Sequence, residues 1–188
     1  MIGGNPPALL MLDRDGVLIQ HVPDYVRSWD DVTAVEGAFT AVAGFQAFGT
    51  RVAVVTNQSA IGRGLVDPSF VAEVHGWISS EVARHGGDRD ITFHVCPHVP
   101  SVGCACRKPA PGLLRVAQST SGVDPGDSWM VGDHDTDVEA GIAAGCGAVV
   151  HVRSDRMRIQ PAGASGHFPS LAALYHHVSV TASGGEGA

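Results

Sequence analysis

The apolar run Ala8 to Leu12 ends in Asp13-Arg14-Asp15-Gly16-Val17. Such a short run near the start of a chain reads as a strand covered on both faces, as at the centre of a parallel sheet. Open sheets of that kind bind ligands outside the carboxyl ends of their strands, and that is where the two carboxylates stand. Asp13 and Asp15 flank Arg14, so in extended chain they share a face. Close carboxylates repel unless something positive lies between them or one takes a proton. A hard cation such as Mg²⁺ meets that demand, since it favours oxygen ligands and tolerates phosphate as a partner. Gly16 lets the chain turn sharply away. Taken alone, the same pattern also fits a strand ending in a polar turn.

The 188 residues favour one domain with a real core. With 44% hydrophobic and 16% charged residues, the composition is that of an ordinary soluble globular protein. A net charge of -7 argues against a general nucleic-acid or anionic-membrane binder. No apolar run approaches a membrane span. The N-terminal segment lacks the basic start of a secretory signal, so a cytoplasmic location is expected, and a monomer with it. Residues 1–178 are expected to form the domain and 179–188 a disordered tail.

Strand-like and helix-like segments alternate, which defines an α/β chain. Residues 17–35 form an irregular loop that would overhang the carboxylates. His21, Asp24 and Tyr25 could touch a substrate there, or Tyr25 and Trp29 could serve as packing anchors. A helix is expected over 37–48, stopped at Gly49. A second apolar run from Arg51 ends in Thr56-Asn57-Gln58-Ser59. A Thr hydroxyl and nearby backbone N–H groups can hold a phosphate oxygen, while Asn57 or Ser59 could equally cap a helix. Arg63, between two glycines, could grip a second anionic group or be merely solvated. An amphipathic helix is expected over 68–85 and a strand over 91–95. Further on come a helix over 112–119 and a strand over 128–133 ending in Asp133. A helix with a Thr136-x-x-Glu139 capping box follows, then a last strand over 148–152 and a helix over 170–177. Asp133 could meet Asp13 and Asp15 across the sheet. Asp137 could brace Lys108 or complement its helix N-terminus.

Three of the four cysteines crowd into one loop with a histidine: Cys96, His98, Cys104 and Cys106. Cys₃His is a standard structural Zn²⁺ set, and four protein ligands leave no open position. A Cys104–Cys106 disulfide is the alternative, but so short a ring is strained and leaves His98 unexplained. Arg107-Lys108-Pro109 follow at once, and a rigid clip could aim both cations at an anionic substrate.

Asp13-Arg14-Asp15-Gly16-Val17, Thr56-Asn57-Gln58-Ser59, Arg107-Lys108-Pro109 and Gly132-Asp133 with Asp137 together resemble the four motifs of the haloacid dehalogenase (HAD) phosphatases. The zinc-type loop narrows the resemblance to the branch that acts on heptose bisphosphates and histidinol phosphate. The resemblance implies a Rossmann-like fold: a mostly parallel sheet with helices on both faces, a zinc loop and no large cap domain. It implies a Mg²⁺-dependent phosphatase for a small phosphorylated metabolite, foremost a heptose 1,7-bisphosphate at its 7-phosphate, with histidinol phosphate as the alternative. Asp13 is then the nucleophile and Asp15 the proton donor and later base. Thr56 and Lys108 hold the transferring phosphoryl group. Mg²⁺ sits on the Asp13 carboxylate, the Asp15 carbonyl and Asp133, and Zn²⁺ on Cys96, His98, Cys104 and Cys106. Substrate contacts fall to His21, Asp24, Tyr25, Asn57, Gln58, Ser59, Arg63 and Arg107. The chain departs from the usual pattern at Ile19, where the family often carries Asn, and at His134, where it often carries Lys.

Overall fold

The structure, a computed structural model, describes residues 2, 5–88, 90–153 and 161–183. Its strands are β1 (Leu9–Leu12), β2 (Arg51–Asn57), β3 (Ile91–Cys96), β4 (Ser128–Gly132), β5 (Ala148–Val152) and β6 (Gly166–Phe168). The helices are α1 (Ala38–Ala47), α2 (Ser59–Gly62), α3 (Pro68–Arg84), α4 (Gly112–Ser121), α5 (Asp135–Ala143) and α6 (Leu171–Ser183). All described strands belong to one parallel sheet of order β3-β2-β1-β4-β5-β6.

β1 takes the centre because all four of its residues are apolar and buried. Side chains alternate across a strand, so β1 serves both layers. Leu10 and Leu12 join Phe39 and Phe45 of α1, Val74 and Ile78 of α3, and Leu174 of α6. Leu9 and Met11 face the other way, onto Leu113, Leu114 and Ala117 of α4 and Ala140 of α5. Helices therefore cover both faces, as the motifs imply. Ile19 also belongs to the first core and is fully buried, so this departure from the family pattern faces the interior.

The five expected strands and five expected helices form with small shifts at their ends. Four details differ. α2 is a sixth helix, with Gln58 at its N-cap rather than Asn57 or Ser59. β6 is a sixth strand; at three residues, Gly-His-Phe, it carries no apolar run to announce it. α6 continues to Ser183, so residues 179–183, assigned above to a disordered tail, are helical; 184–188 lie outside the described residues. The Thr136-x-x-Glu139 box does not form, because α5 starts earlier. His134 is its N-cap, with Nδ1 accepting from the Thr136 N–H at 3.3 Å. Asp137 closes the box by accepting the His134 N–H at 3.1 Å.

The loop between β1 and α1 is fastened at two points. Ile19 bridges Asp15 and Ala34. Trp29 packs edge-on against Phe70 and Trp77 of α3, with ring centroids 5.8 and 6.4 Å away. Trp29 is thus the anchor considered above. Among the described residues, no helix is long and apolar enough to cross a membrane.

Gly16 turns the chain away from β1 with φ of 84°, and a Cβ there would lie 2.2 Å from Asp133 Oδ2. Both left-handed backbone and close approach exclude a side chain. Gly16→Ala should therefore lose about 1–3 kcal/mol of stability in urea titrations; an unchanged midpoint would contradict this account of the turn.

Candidate active site

The sheet order brings the site together. The chain runs outward from β1 to β2 and β3, then returns to lay β4 on the other side of β1. The crevice beyond the carboxyl ends of β1 and β4 is thus the topological switch point where such sheets bind ligands. Asp13 and Asp15 follow β1, and Asp133 follows β4. A cleft of about 280 Å³ opens there, lined by Asp13, Asp15, Asp133 and Lys108 among others.

Lys108 reaches in from the loop before α4 and is 3% exposed. Its Nζ lies 2.8 Å from Asp13 Oδ1, 2.6 Å from Asp137 Oδ1 and 2.7 Å from the Val55 carbonyl. Nζ donates to Asp13 and the Val55 carbonyl and forms an ion pair with Asp137. Burial alone would lower its pKa, but the Asp13 and Asp137 carboxylates more than reverse that and hold it above the ordinary lysine value. Asn57 fixes the backbone of Lys108 from β2. Its Oδ1 accepts the Lys108 N–H and its Nδ2 donates to the Lys108 carbonyl, both at 3.1 Å. Asp137 can come this close because position 132 is glycine; a Cβ there would stand 2.3 Å from Asp137 Cβ. Asp137 therefore both braces Lys108 and caps its helix, so the two roles considered for it are combined.

Asp13, Asp133 and Asp137 each offer a carboxylate oxygen within 4.8 Å of the others, a group able to hold a cation. Burial pushes Asp13 up to about 6, against the pull of Lys108 and with further push from Asp137 and Asp15. Burial, then the Asp13 charge, pushes Asp133 up to about 6, while His21, His134 and Arg153 work in the other direction. Carboxylates held up by burial and mutual repulsion favour a bound divalent ion. The Asp133 backbone is tied to the sheet edge. His151 Nε2 lies 3.0 Å from the Asp133 carbonyl, and His151 Nδ1 lies 2.9 Å from His167 Nδ1 of β6.

His21, Tyr25, Asn57, Gln58, Ser59 and Arg107 line the cleft as the sequence suggested. Tyr25 holds a left-handed backbone, φ 71°, which bulky residues rarely adopt. A hydrogen bond with the Ser59 side chain draws its phenol below the usual range, aided by Arg63 and Arg107. Thr56, Asp24 and Arg63 do not line the cleft. Thr56 is buried and its Oγ1 accepts from Gln58 Nε2 at 2.8 Å. Asp24 is exposed, with its backbone carbonyl accepting from Arg27 Nε at 2.7 Å. Arg63 lies over the Tyr25 ring, 6.0 Å from its centre. Arg14, His134, Thr136 and Asp137 line the cleft as well. Arg14 escaped the sequence reading as a site residue, although a cation between two acids was the available signal.

Beside the cleft, Cys96 at the end of β3 meets His98, Cys104 and Cys106. Their donor atoms lie 3.3 to 3.6 Å apart wherever they touch. A disulfide would bring two sulfurs to about 2.05 Å, and these cysteines are free, so the Cys104–Cys106 bridge does not form. The spacing suits four ligands around one metal ion: tetrahedral bonds of about 2.3 Å to sulfur place the ligands about 3.8 Å apart. Arg107 Nη1 donates to the His98 carbonyl at 3.3 Å, so the cluster and the Arg107-Lys108 pair form one unit.

This fold and site define a HAD-like hydrolase. Residues 105–169 match the Hydrolase_like family, described as HAD-hydrolase-like. D-glycero-beta-D-manno-heptose-1,7-bisphosphate 7-phosphatase of Pseudomonas aeruginosa is 40% identical over 76% of this chain and 80% of its own. The Bordetella bronchiseptica protein of the same name is 39% identical over 73% of this chain and 76% of its own. A crystal structure of D,D-heptose 1,7-bisphosphate phosphatase from B. bronchiseptica, complexed with magnesium and phosphate, superposes with a TM-score of 0.83. It shares 34% identity and covers 92% of this chain and 98% of that one. The chain belongs to the D-glycero-D-manno-heptose 1,7-bisphosphate 7-phosphatase family of HAD phosphatases.

The raised carboxyls carry a pH signature. Protonation removes the charges that hold a divalent cation, so affinity should be full above pH 7 and fall below pH 6 by about tenfold per unit for each proton displaced. Calorimetric titration of Mg²⁺ across pH 5 to 8 measures this. Affinity that stays flat would mean that Asp13 and Asp133 do not bind the ion.

Proposed function

We propose that the chain hydrolyses a heptose 1,7-bisphosphate at its 7-phosphate, through a phospho-aspartate on Asp13. The observation that carries this reading is the meeting of Asp13, Asp133 and Asp137 at the switch point of the sheet, with Lys108 paired to Asp13 and Asp137. The chief obstacle in phosphoryl transfer is the approach of one anion to another, and catalysis there is positioning plus charge stabilisation. The Asp13 and Asp133 carboxylates, with the Asp15 carbonyl, would hold Mg²⁺, which would supply neutralising charge.

The chain's own groups do the rest. Lys108 engages Asp13 Oδ1, which leaves Oδ2 to attack phosphorus as the ester bond to the sugar oxygen breaks. Asp15 gives its proton to that oxygen. It then takes a proton from the water that opens the phospho-aspartate, regenerating Asp13 and releasing phosphate. Lys108 steadies the transferring group, while Thr56, buried and outside the cleft lining, accepts from Gln58 instead. Arg107, His21, Tyr25 and Ser59 shape the rim that receives the sugar. The cleft volume, about 280 Å³, lies just below the usual range for ligand pockets, about 300–1,000 Å³, which favours a small metabolite.

The Cys96, His98, Cys104 and Cys106 cluster would hold Zn²⁺. With no ligand position left open, that ion is structural, and it stiffens the loop that presents Arg107 and Lys108.

Asp13→Asn should abolish turnover while leaving the unfolding midpoint close to that of the parent. A panel of heptose bisphosphates in both anomers, histidinol phosphate and hexose phosphates should give the highest kcat/KM on a heptose bisphosphate; a better histidinol phosphate substrate would overturn the assignment. Elemental analysis should find about one zinc per chain. Stripping it with a chelator should lower both Tm and kcat; zinc-free protein with normal Tm would remove the clip.

A further inference from the structure

Arg14 stands between the two acids and borders the cleft, yet its side chain is buried, with 1% exposure. Neighbouring side chains in extended chain point to opposite faces, but here the guanidinium returns to the next residue. Nη2 donates to Asp15 Oδ1 at 3.0 Å and to Oδ2 at 3.1 Å, and Nε reaches Oδ2 at 3.3 Å. Gln58, at the start of the turn after β2, completes a ring. Its Oε1 accepts from Arg14 Nη2 at 3.0 Å, and its Nε2 donates to Asp15 Oδ2 at 2.8 Å. The same Nε2 donates to Thr56 Oγ1 at 2.8 Å, which fixes the plane of the amide.

Burying a guanidinium is costly unless it is well paired, and a carboxyl is otherwise almost free to rotate about its last bond. The ring removes that freedom. Oδ2 receives donors from both Arg14 and Gln58, whereas Oδ1 receives one and keeps capacity towards the cleft. His75 does not compete for the carboxylate. It stacks on Phe93 with ring centroids 4.3 Å apart, and burial, then Arg14, pushes it down to about 4, so it is uncharged in the working range.

We infer that Arg14 and Gln58 are positioning residues, a clamp that aims Oδ1 of Asp15 at the oxygen leaving the substrate. This rests on the reading of Asp15 as proton donor and acceptor. Both residues border the cleft, but the guanidinium bonds end on Asp15 and Gln58, so the main effect must appear where proton transfer is needed.

Arg14→Met and Gln58→Leu test it with Mg²⁺ saturating. A sugar alkoxide needs a proton to leave; p-nitrophenolate does not. With the heptose bisphosphate, kcat should fall about 100-fold, the scale of a misplaced general acid, while KM stays within about threefold. The stopped-flow burst of p-nitrophenolate from p-nitrophenyl phosphate should fall no more than about threefold, far less than the sugar-ester rate. Equal losses in both reactions, or full turnover of the sugar ester by a variant with native circular dichroism, would overturn the clamp. Should Arg14→Met not fold, Gln58→Leu decides by the same two measurements. Asp15→Asn is the control: if it still hydrolyses the sugar ester, the acid–base reading of Asp15 fails. If it is inactive while the clamp variants are normal, only the clamp fails.

Discussion

One buried ammonium organises this protein. Lys108 donates to Asp13 and the Val55 carbonyl and pairs with Asp137, and those partners come from three different elements. An unpaired charge at that depth would not be tolerated; paired, it ties the first strand, the second strand and the fifth helix to a single point. Its backbone is held separately by Asn57, so position and charge compensation are secured by different residues. The carboxylates gain from the same arrangement. Asp13 sits deep enough to be pushed up, yet beside a cation that keeps it useful as an anion.

The parallel sheet makes such a convergence possible. Loops at the carboxyl ends of adjacent parallel strands emerge side by side, and the reversal between β1 and β4 leaves room between them. The Cys₃His cluster extends this logic to β3. Cys96 closes that strand, and the loop it begins delivers Arg107 and Lys108 to the cleft. Glycine appears where side chains must crowd: Gly16 under Asp133 and Gly132 under Asp137.

Much of this was legible in the sequence, for reasons that can be named. Apolar runs ending in acids mark covered strands and the edge where a site forms, so Asp13 and Asp133 stood out, while Thr56, at the end of a like run, lies outside the cleft lining. Thiols at metal-ligand spacing marked the cluster. What could not be read depends on contacts between distant segments. Nothing local tells that Asn57 would hold the backbone of Lys108, or that Gln58 would face Arg14 rather than substrate. The cap of α5 was misplaced because a histidine, a less usual cap, took the position ahead of the expected threonine. β6 was missed because three residues carry no periodicity, and the length of α6 because small residues at a chain end resemble a tail. Ile19 was weighed as a departure at the site, yet its side chain belongs to the core.

The loop over the cleft hangs between two fastenings, the Ile19 bridges on one side and the Trp29 aromatic anchor on the other. Neither fastening uses a cleft-lining side chain. Of residues 21–25, Val22 packs on the core and His21 acts on Asp133, whereas the exposed Pro23 and Asp24 can change in size or charge without disturbing either. What the protein accepts is housed in a replaceable part, and what it does to the accepted molecule is built into the sheet.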